Sequence, residues 1–201
     1  MFTEISDWVD GLKSNVFLYS AMLAVILPFA LLVLGRLIDA LTVGLIRLLA
    51  RVFGSGKLAY AIVNYLFFPG VMIHESGHAL MAFVTGAKVE EVALFRKQGD
   101  SLGHVSYRNR GGLILQMLQN ALISSAPMYI GTVVLLVFRF LLLRRPEMET
   151  WGRVLIGYLG ISVFCHMSMS SQDVRIYLKG VLLLIPILFV LILGYRLAFP
   201  A

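Results

Sequence analysis

The sequence predicts a mainly α-helical protein: a polytopic membrane helical bundle of about five spans, with a small β-hairpin after one of its helices. Three observations lead there. Of the 201 residues, 59% are hydrophobic and only 14% are charged, whereas a soluble domain is ~45–50% apolar. The apolar residues fall into runs long enough to cross a hydrocarbon layer of ~30 Å as helices. One interval between these runs, residues 85–111, carries strand and turn signals instead.

Charge and cysteine content narrow the class further. The net charge is +6, but the basic residues flank apolar runs and form no stripe. That is how a membrane protein uses Lys and Arg, and it argues against nucleic acid as a partner; the partner expected everywhere is the lipid bilayer. Cys165 is the single cysteine, which excludes an internal disulfide and a Cys-x-x-Cys zinc ribbon. The length suits one membrane domain and no sizeable soluble one. We divide the chain into an N-terminal part (1–57: interfacial segment, first span, amphipathic helix), a core (58–180) and a C-terminal span (181–201).

Residues 1–15 place Phe2, Ile5, Trp8, Val9 and Leu12 at helical spacing, as in a segment lying in the interface; a frayed terminus fits equally. They are acidic and lack the basic start of a signal peptide, so the first apolar run, 16–34, is expected to persist as a span, with a kink at Pro28. Arg36, Asp39, Arg47 and Arg51 interrupt the next stretch, 36–57, yet its apolar residues still recur at three and four. It reads as a basic surface helix, as the protruding end of a long first helix, or as a short second span. Gly54, Ser55 and Gly56 form a hinge.

Residues 58–86, LAYAIVNYLFFPGVMIHESGHALMAFVTG, form the next span, with a kink expected at Pro69 and Gly70. In 85–111, Val89, Val92, Leu94 and Phe95 make one run and Val105 and Tyr107 alternate in a second, with the turn-rich RKQGDSLG between. A hairpin at the membrane surface is predicted, and its open edge over 88–107 can take an extended peptide by strand addition. Residues 113–143 are the longest apolar run. Gln116, Gln119, Asn120, Ser124 and Ser125 on its first half make a polar face that belongs against protein or a cavity, and Gln116, Asn120 and Ser124 lie four apart on one side. Residues 144–153 form a polar loop, 154–169 the following span and 181–195 the last, with Pro186 inside it.

The chemistry concentrates at HESGH, residues 74–78, an instance of His-Glu-x-x-His. Residues four apart share a helix face, so His74 and His78 can offer two imidazoles to one ion. Glu75 can act as general base on a water at that ion. The alternative is two satisfied histidines and an exposed glutamate on an amphipathic helix. It is disfavoured because Met72, Ile73, Ala79, Leu80, Met81, Ala82 and Phe83 leave no solvated face. A catalytic zinc takes three protein ligands and a water. The third can come from Glu90, Glu91, Asp100, His104, His166 or Asp173, and Asp173, at the junction of two apolar runs, is preferred. His166 is the runner-up, as ligand or as a group bonded to one. Residues 170–173, SSQD, also fit the capping pattern Ser-x-x-Asp, which would make Asp173 a helix cap needing no metal.

These stretches together resemble the site-2 protease family of intramembrane zinc metalloproteases. The matching parts are HESGHAL at 74–80 within a span, GAKVEEVALF…GHVSY after it, and SSAPMYIG at 124–131, similar to the family's small-residue and proline segment. By motif order the resemblance covers residues 58–180. It implies a zinc metalloprotease core of three helices, Asp173 as the aspartate ligand, and hydrolysis of peptide bonds in membrane-embedded protein substrates. Gln116, Asn120 and Ser124 would hold substrate or an oxyanion. The chain departs from the family at Val174, where glycine usually follows the aspartate, in lacking an asparagine shortly after Pro127, and in having no PDZ-like domain. It looks like a minimal, divergent branch. Two other readings stand beside it: a metal-ion transporter, since zinc permeases carry a similar motif in a span, and a catalytically silent metal-binding membrane scaffold. Transport needs ligands across the bilayer on several helices, whereas the ligand-grade residues here cluster at one depth. The expected location is the cell (inner) membrane. Lys and Arg counts put 36–57 and 139–153 inside, which places the end of the metal helix outside; the resemblance puts the site nearer the cytoplasmic face.

Overall fold

In the computed structural model, residues 15–94, 96 and 102–199 are described. The first span does not stop at residue 34. Helix α1 runs unbroken over Val16–Phe53, 38 residues, capped by the Asn15 side chain, which accepts the Leu18 N–H at 3.0 Å. Of the three readings of residues 36–57, the long first helix is the one that holds. The charges do not end it because they point outward: Arg36 and Asp39 sit 3.9 Å apart and are more than half exposed. Pro28 lies inside α1 without ending it. Gly54, at φ +66°, closes it in the left-handed region that glycine tolerates, and the Ser55 hydroxyl caps the next helix. The interfacial segment expected over 1–15 falls almost wholly outside the described residues.

The second span is broken, not merely kinked. Helix α2 (Gly56–Ala61) continues through one π-helical turn, Ile62–Leu66, then breaks at Phe67; helix α3 (Phe68–Val84) leaves at 60°. The expected kink at Pro69 is therefore displaced. Pro69 falls in the first turn of α3, where its missing N–H would have had no helical partner.

Strands β1 (Lys88–Ala93) and β2 (His104–Arg108) pair antiparallel, Val89 opposite Tyr107 and Val92 opposite Val105. A bulge between Val89 and Glu91 explains that register. Val89 and Val92 are three apart and would alternate to opposite faces; one extra residue returns both to the face shared by Tyr107 and Val105. Leu94 lies just beyond β1, and Phe95 lies outside the described residues.

Helix α4 (Leu113–Arg144) runs antiparallel to α3, setting Ile123 beside His78 and Gln119 beside Thr85. Helix α5 (Thr150–His166) is followed by the short α6 (Ser171–Leu178), turned 60° from it, and then by α7 (Val181–Ala198). The largest apolar cluster joins α1, α4, α6 and α7 around Ile38, Met128, Tyr177 and Val181. Tyr177 is fully buried, and its hydroxyl donates to the Pro28 carbonyl at 3.1 Å, fastening α6 to α1. The outward faces remain apolar, with Phe83, Leu113 and Val190 largely exposed. Helices α1, α4 and α7 are each long and apolar enough to cross a membrane; counting each bent pair as one span gives five.

Candidate metal centre

The site begins at the break before α3. Ser162, buried on α5, accepts the Gly70 N–H at 2.7 Å and donates to the Phe67 carbonyl at 2.7 Å. It thereby satisfies backbone groups that the break exposes. A Cβ on Gly70 would run into the Ser162 carbonyl, so only glycine lets α3 and α5 meet backbone to backbone. That contact sets the register, and one turn later His74 stands beside His166. The last carbonyls of a helix have no partner within it, and the His166 carbonyl, at the end of α5, lies 2.6 Å from Nδ1 of His74.

His78 is held by a second freed carbonyl. In a regular helix the N–H of residue 127 would bond to the carbonyl of residue 123. Pro127 has no N–H. The Ile123 carbonyl is left open and lies 2.8 Å from Nδ1 of His78. Gly77 of α3 faces Ala126 and Pro127, where a Cβ would sit in ordinary van der Waals contact.

Carbonyls only accept, so each Nδ1 carries a proton and donates it. With both rings neutral, each Nε2 presents a lone pair. These two Nε2 atoms face one another at 3.1 Å. Two lone pairs cannot bond to each other; a cation between them resolves the contact. The Asp173 carboxylate completes the group, with Oδ1 3.5 Å from Nε2 of His78 and Oδ2 3.8 Å from Nε2 of His74. Ligands at ~2.0–2.2 Å on a tetrahedron stand ~3.3–3.6 Å apart. The observed separations of 3.1, 3.5 and 3.8 Å bracket that range. His74, His78 and Asp173 can hold a metal ion.

Asp173 is also a cap. Its Oδ2 accepts the Ser170 N–H at 2.9 Å, and its own N–H donates to Ser170 Oγ at 3.1 Å. The two sequence readings are compatible, because a carboxylate has lone pairs enough for a backbone N–H and an ion. The cap also turns the carboxylate toward the histidines, as supporting hydrogen bonds do for metal ligands.

Glu75 is 8% exposed and lines the same cleft as the three ligand-grade groups, a wide opening of about 1570 Å³. Among the described residues its carboxylate has no hydrogen-bond partner. The start of β2 lies against it: a Cβ on Gly103 would come within 2.8 Å of the Glu75 Cγ. Residues 103–109 form one wall of the cleft. A smaller cavity, about 360 Å³, reaches His74 and Glu75 from the side of Arg36 and Asp39 on α1.

The other predicted residues divide. Gln116 and Asn120 line the cleft; Gln116 Nε2 donates to the Gly111 carbonyl at 2.8 Å, and Asn120 Oδ1 accepts from Asn109 at 2.6 Å. Ser124 does not reach it. It is 1% exposed, and its hydroxyl donates to the Asn120 carbonyl. The expectation fails because a four-residue step overshoots a turn by ~40°, so two steps carry a side chain ~80° round the helix. His104, Glu90, Glu91 and His166 stay out of the ligand group. His104 Nε2 is 3.5 Å from Glu91, which also pairs with Arg96 at 2.8 Å, and Glu90 pairs with Arg108 at 3.0 Å. His166 contributes its carbonyl, while its ring nitrogen donates back to the Ser162 carbonyl at 2.9 Å. Asp100 lies outside the described residues.

Gln119 belongs to the polar face read in the apolar run, but its role was not foreseen. It is fully buried on α4; its Oε1 accepts the Arg110 N–H and its Nε2 donates to the Thr85 carbonyl, both at 3.0 Å. One side chain therefore clamps both roots of the hairpin. A glutamine in an apolar run was the available signal. Ser162 left none, since small residues are common in such helices. Compared with models of known protein families, with curated proteins and with solved structures, the chain matches none.

Proposed function

We propose that this chain is a multi-pass membrane zinc metalloprotease, a divergent relative of the site-2 proteases, hydrolysing peptide bonds of membrane-embedded proteins. One observation carries the reading: two imidazole lone pairs and a carboxylate converge at tetrahedral spacing beside the unpaired Glu75, in an open cleft. Two imidazoles and one carboxylate form a donor set that suits zinc. Apolar outer faces and three to five membrane-length helices support a place in a bilayer; the cell (inner) membrane is the one we propose.

A bound zinc would polarise the scissile carbonyl and acidify a water. The chain's own residues supply the rest. Glu75 takes a proton from the attacking water and passes it to the leaving nitrogen. Residues 103–109 wall the cleft, so a substrate segment paired to the free edge of β2 would lie along the ligand group. Only an unwound segment offers those backbone groups, so cleavage is expected where a substrate span is locally extended.

The test uses protein purified in detergent. Metal analysis should find zinc in both wild type and Glu75→Gln, and only the wild type should cleave a panel of fluorogenic single-span peptides. A Glu75→Gln protein as active as wild type would refute the mechanism. Zinc flux into liposomes that ignores Glu75→Gln, without cleavage, would instead identify a transporter; zinc with neither activity would identify a silent scaffold.

A further inference from the structure

Peptide hydrolysis places negative charge on the carbonyl oxygen, and a preset hydrogen-bond donor there is worth several kcal/mol of barrier. The polar side chains first suited to that role are largely committed. The Gln116 amide donates to the Gly111 carbonyl, Asn109 donates to Asn120, and Ser124 is turned away. Tyr107 is placed differently. Its ring packs on the buried cluster of Ala82, Ala87 and Ile123. Ile123 is the residue whose carbonyl holds His78. The ring is therefore anchored one residue away from a metal-ligand imidazole, on the wall of the cleft that also holds Glu75 and Asp173. Its hydroxyl bonds to none of the described residues and is not among the sealed polar atoms. A phenol with a fixed ring and an unengaged O–H in a reaction cleft is a donor without a recipient.

We propose that Tyr107 is a catalytic residue of the peptidase reaction, donating a hydrogen bond to the substrate carbonyl oxygen as that oxygen becomes an oxyanion. The inference rests on the peptidase reading above. As the water oxygen bonds to the carbonyl carbon, the π pair moves onto the carbonyl oxygen, and the Tyr107 O–H bonds to it without giving up its proton. When the pair returns, the C–N bond breaks and the nitrogen takes the proton that Glu75 carried. Burial, with a smaller contribution from the Asp173 carboxylate, pushes the Tyr107 phenol up to about 12. It stays a donor across the working pH range.

Tyr107→Phe keeps the ring and its packing and removes only the O–H. Against the same single-span peptides, kcat should fall about 10²–10³-fold, with KM and zinc content unchanged. Affinity for a tetrahedral phosphinate analogue of the cleaved peptide should fall with kcat, while affinity for the peptide itself, measured in the Glu75→Gln background, should not. Wild-type kcat and phosphinate affinity in Tyr107→Phe would overturn the assignment, as would a loss confined to KM, which would make Tyr107 a wall of the cleft and nothing more. Glu75→Gln separates the two levels. If Glu75→Gln is inactive and Tyr107→Phe is fully active, only the Tyr107 assignment falls; if wild type fails to cleave, or Glu75→Gln cleaves, the peptidase reading falls and takes Tyr107 with it.

Discussion

Asp173 serves two functions through the same carboxylate, and two substitutions pull them apart. Asp173→Asn keeps an acceptor for the Ser170 N–H, now 2.9 Å away, but removes the charge that faces the imidazoles at 3.5 and 3.8 Å. Ser170→Ala removes the hydroxyl that accepts the Asp173 N–H at 3.1 Å and leaves the carboxylate in place. Four-ligand zinc sites bind with ~10–16 kcal/mol, so each ligand carries roughly 3 kcal/mol, or about 10²-fold in affinity. An N-cap contributes about 1 kcal/mol, a shift of ~2–4 °C in a chain of this length. Asp173→Asn should therefore weaken zinc binding about 100-fold while leaving the metal-free melting temperature within ~2 °C of wild type. Ser170→Ala should lower that melting temperature by ~2–4 °C and change zinc affinity by less than ~5-fold. Competition with a chelating zinc dye in detergent reads the first quantity, and thermal unfolding after chelator treatment reads the second. Equal losses of zinc affinity in the two variants, or wild-type affinity in Asp173→Asn, would reduce Asp173 to a helix cap and remove the third ligand.

Two further outcomes follow from the backbone around the site. Pro127→Ala restores an N–H that competes for the Ile123 carbonyl, so the hold on Nδ1 of His78 weakens; zinc affinity should fall about 10-fold, as it does when a ligand's supporting bond is lost, and an unchanged dissociation constant in the dye assay would contradict the role given to that carbonyl. Gln119→Leu conserves volume but strands the Arg110 N–H and the Thr85 carbonyl, at about 2 kcal/mol, or ~30-fold. Hydrogen exchange at β1 and β2 amides should quicken by that factor while α4 stays protected; uniform exchange across both would mean that the glutamine is no clamp.

Much of the fold could be read without coordinates because its signals are local. The apolar runs, the strand alternation of Val105 and Tyr107, and the one-turn spacing of His74 and His78 are all properties of short windows. Errors arose where a window gave several equally good answers. Residues 36–57 scan alike as a surface helix, a continuation or a short second span, and only the unbroken helix with Ile38 packed into the main cluster resolves them. Pro69 reads as a kink in a continuous helix, but it lies two residues past the break at Phe67, where a proline costs least. Ser124 was drawn into the site by treating four residues as a whole turn.

By itself, the sequence determined a mostly helical, strongly apolar chain carrying a paired-imidazole motif with a neighbouring carboxylate, since composition and periodicity are enough to specify each. Which groups meet that motif was decided only by tertiary packing. The carbonyls that set both imidazole tautomers come from 92 and 45 residues away, and the serine that stitches the break is 92 residues from Gly70. Helix spacing says which residues share a face and nothing about which turn of another helix lies opposite. Close approach at Gly70 fixes that alignment, and with it the meeting of His74, His78 and Asp173.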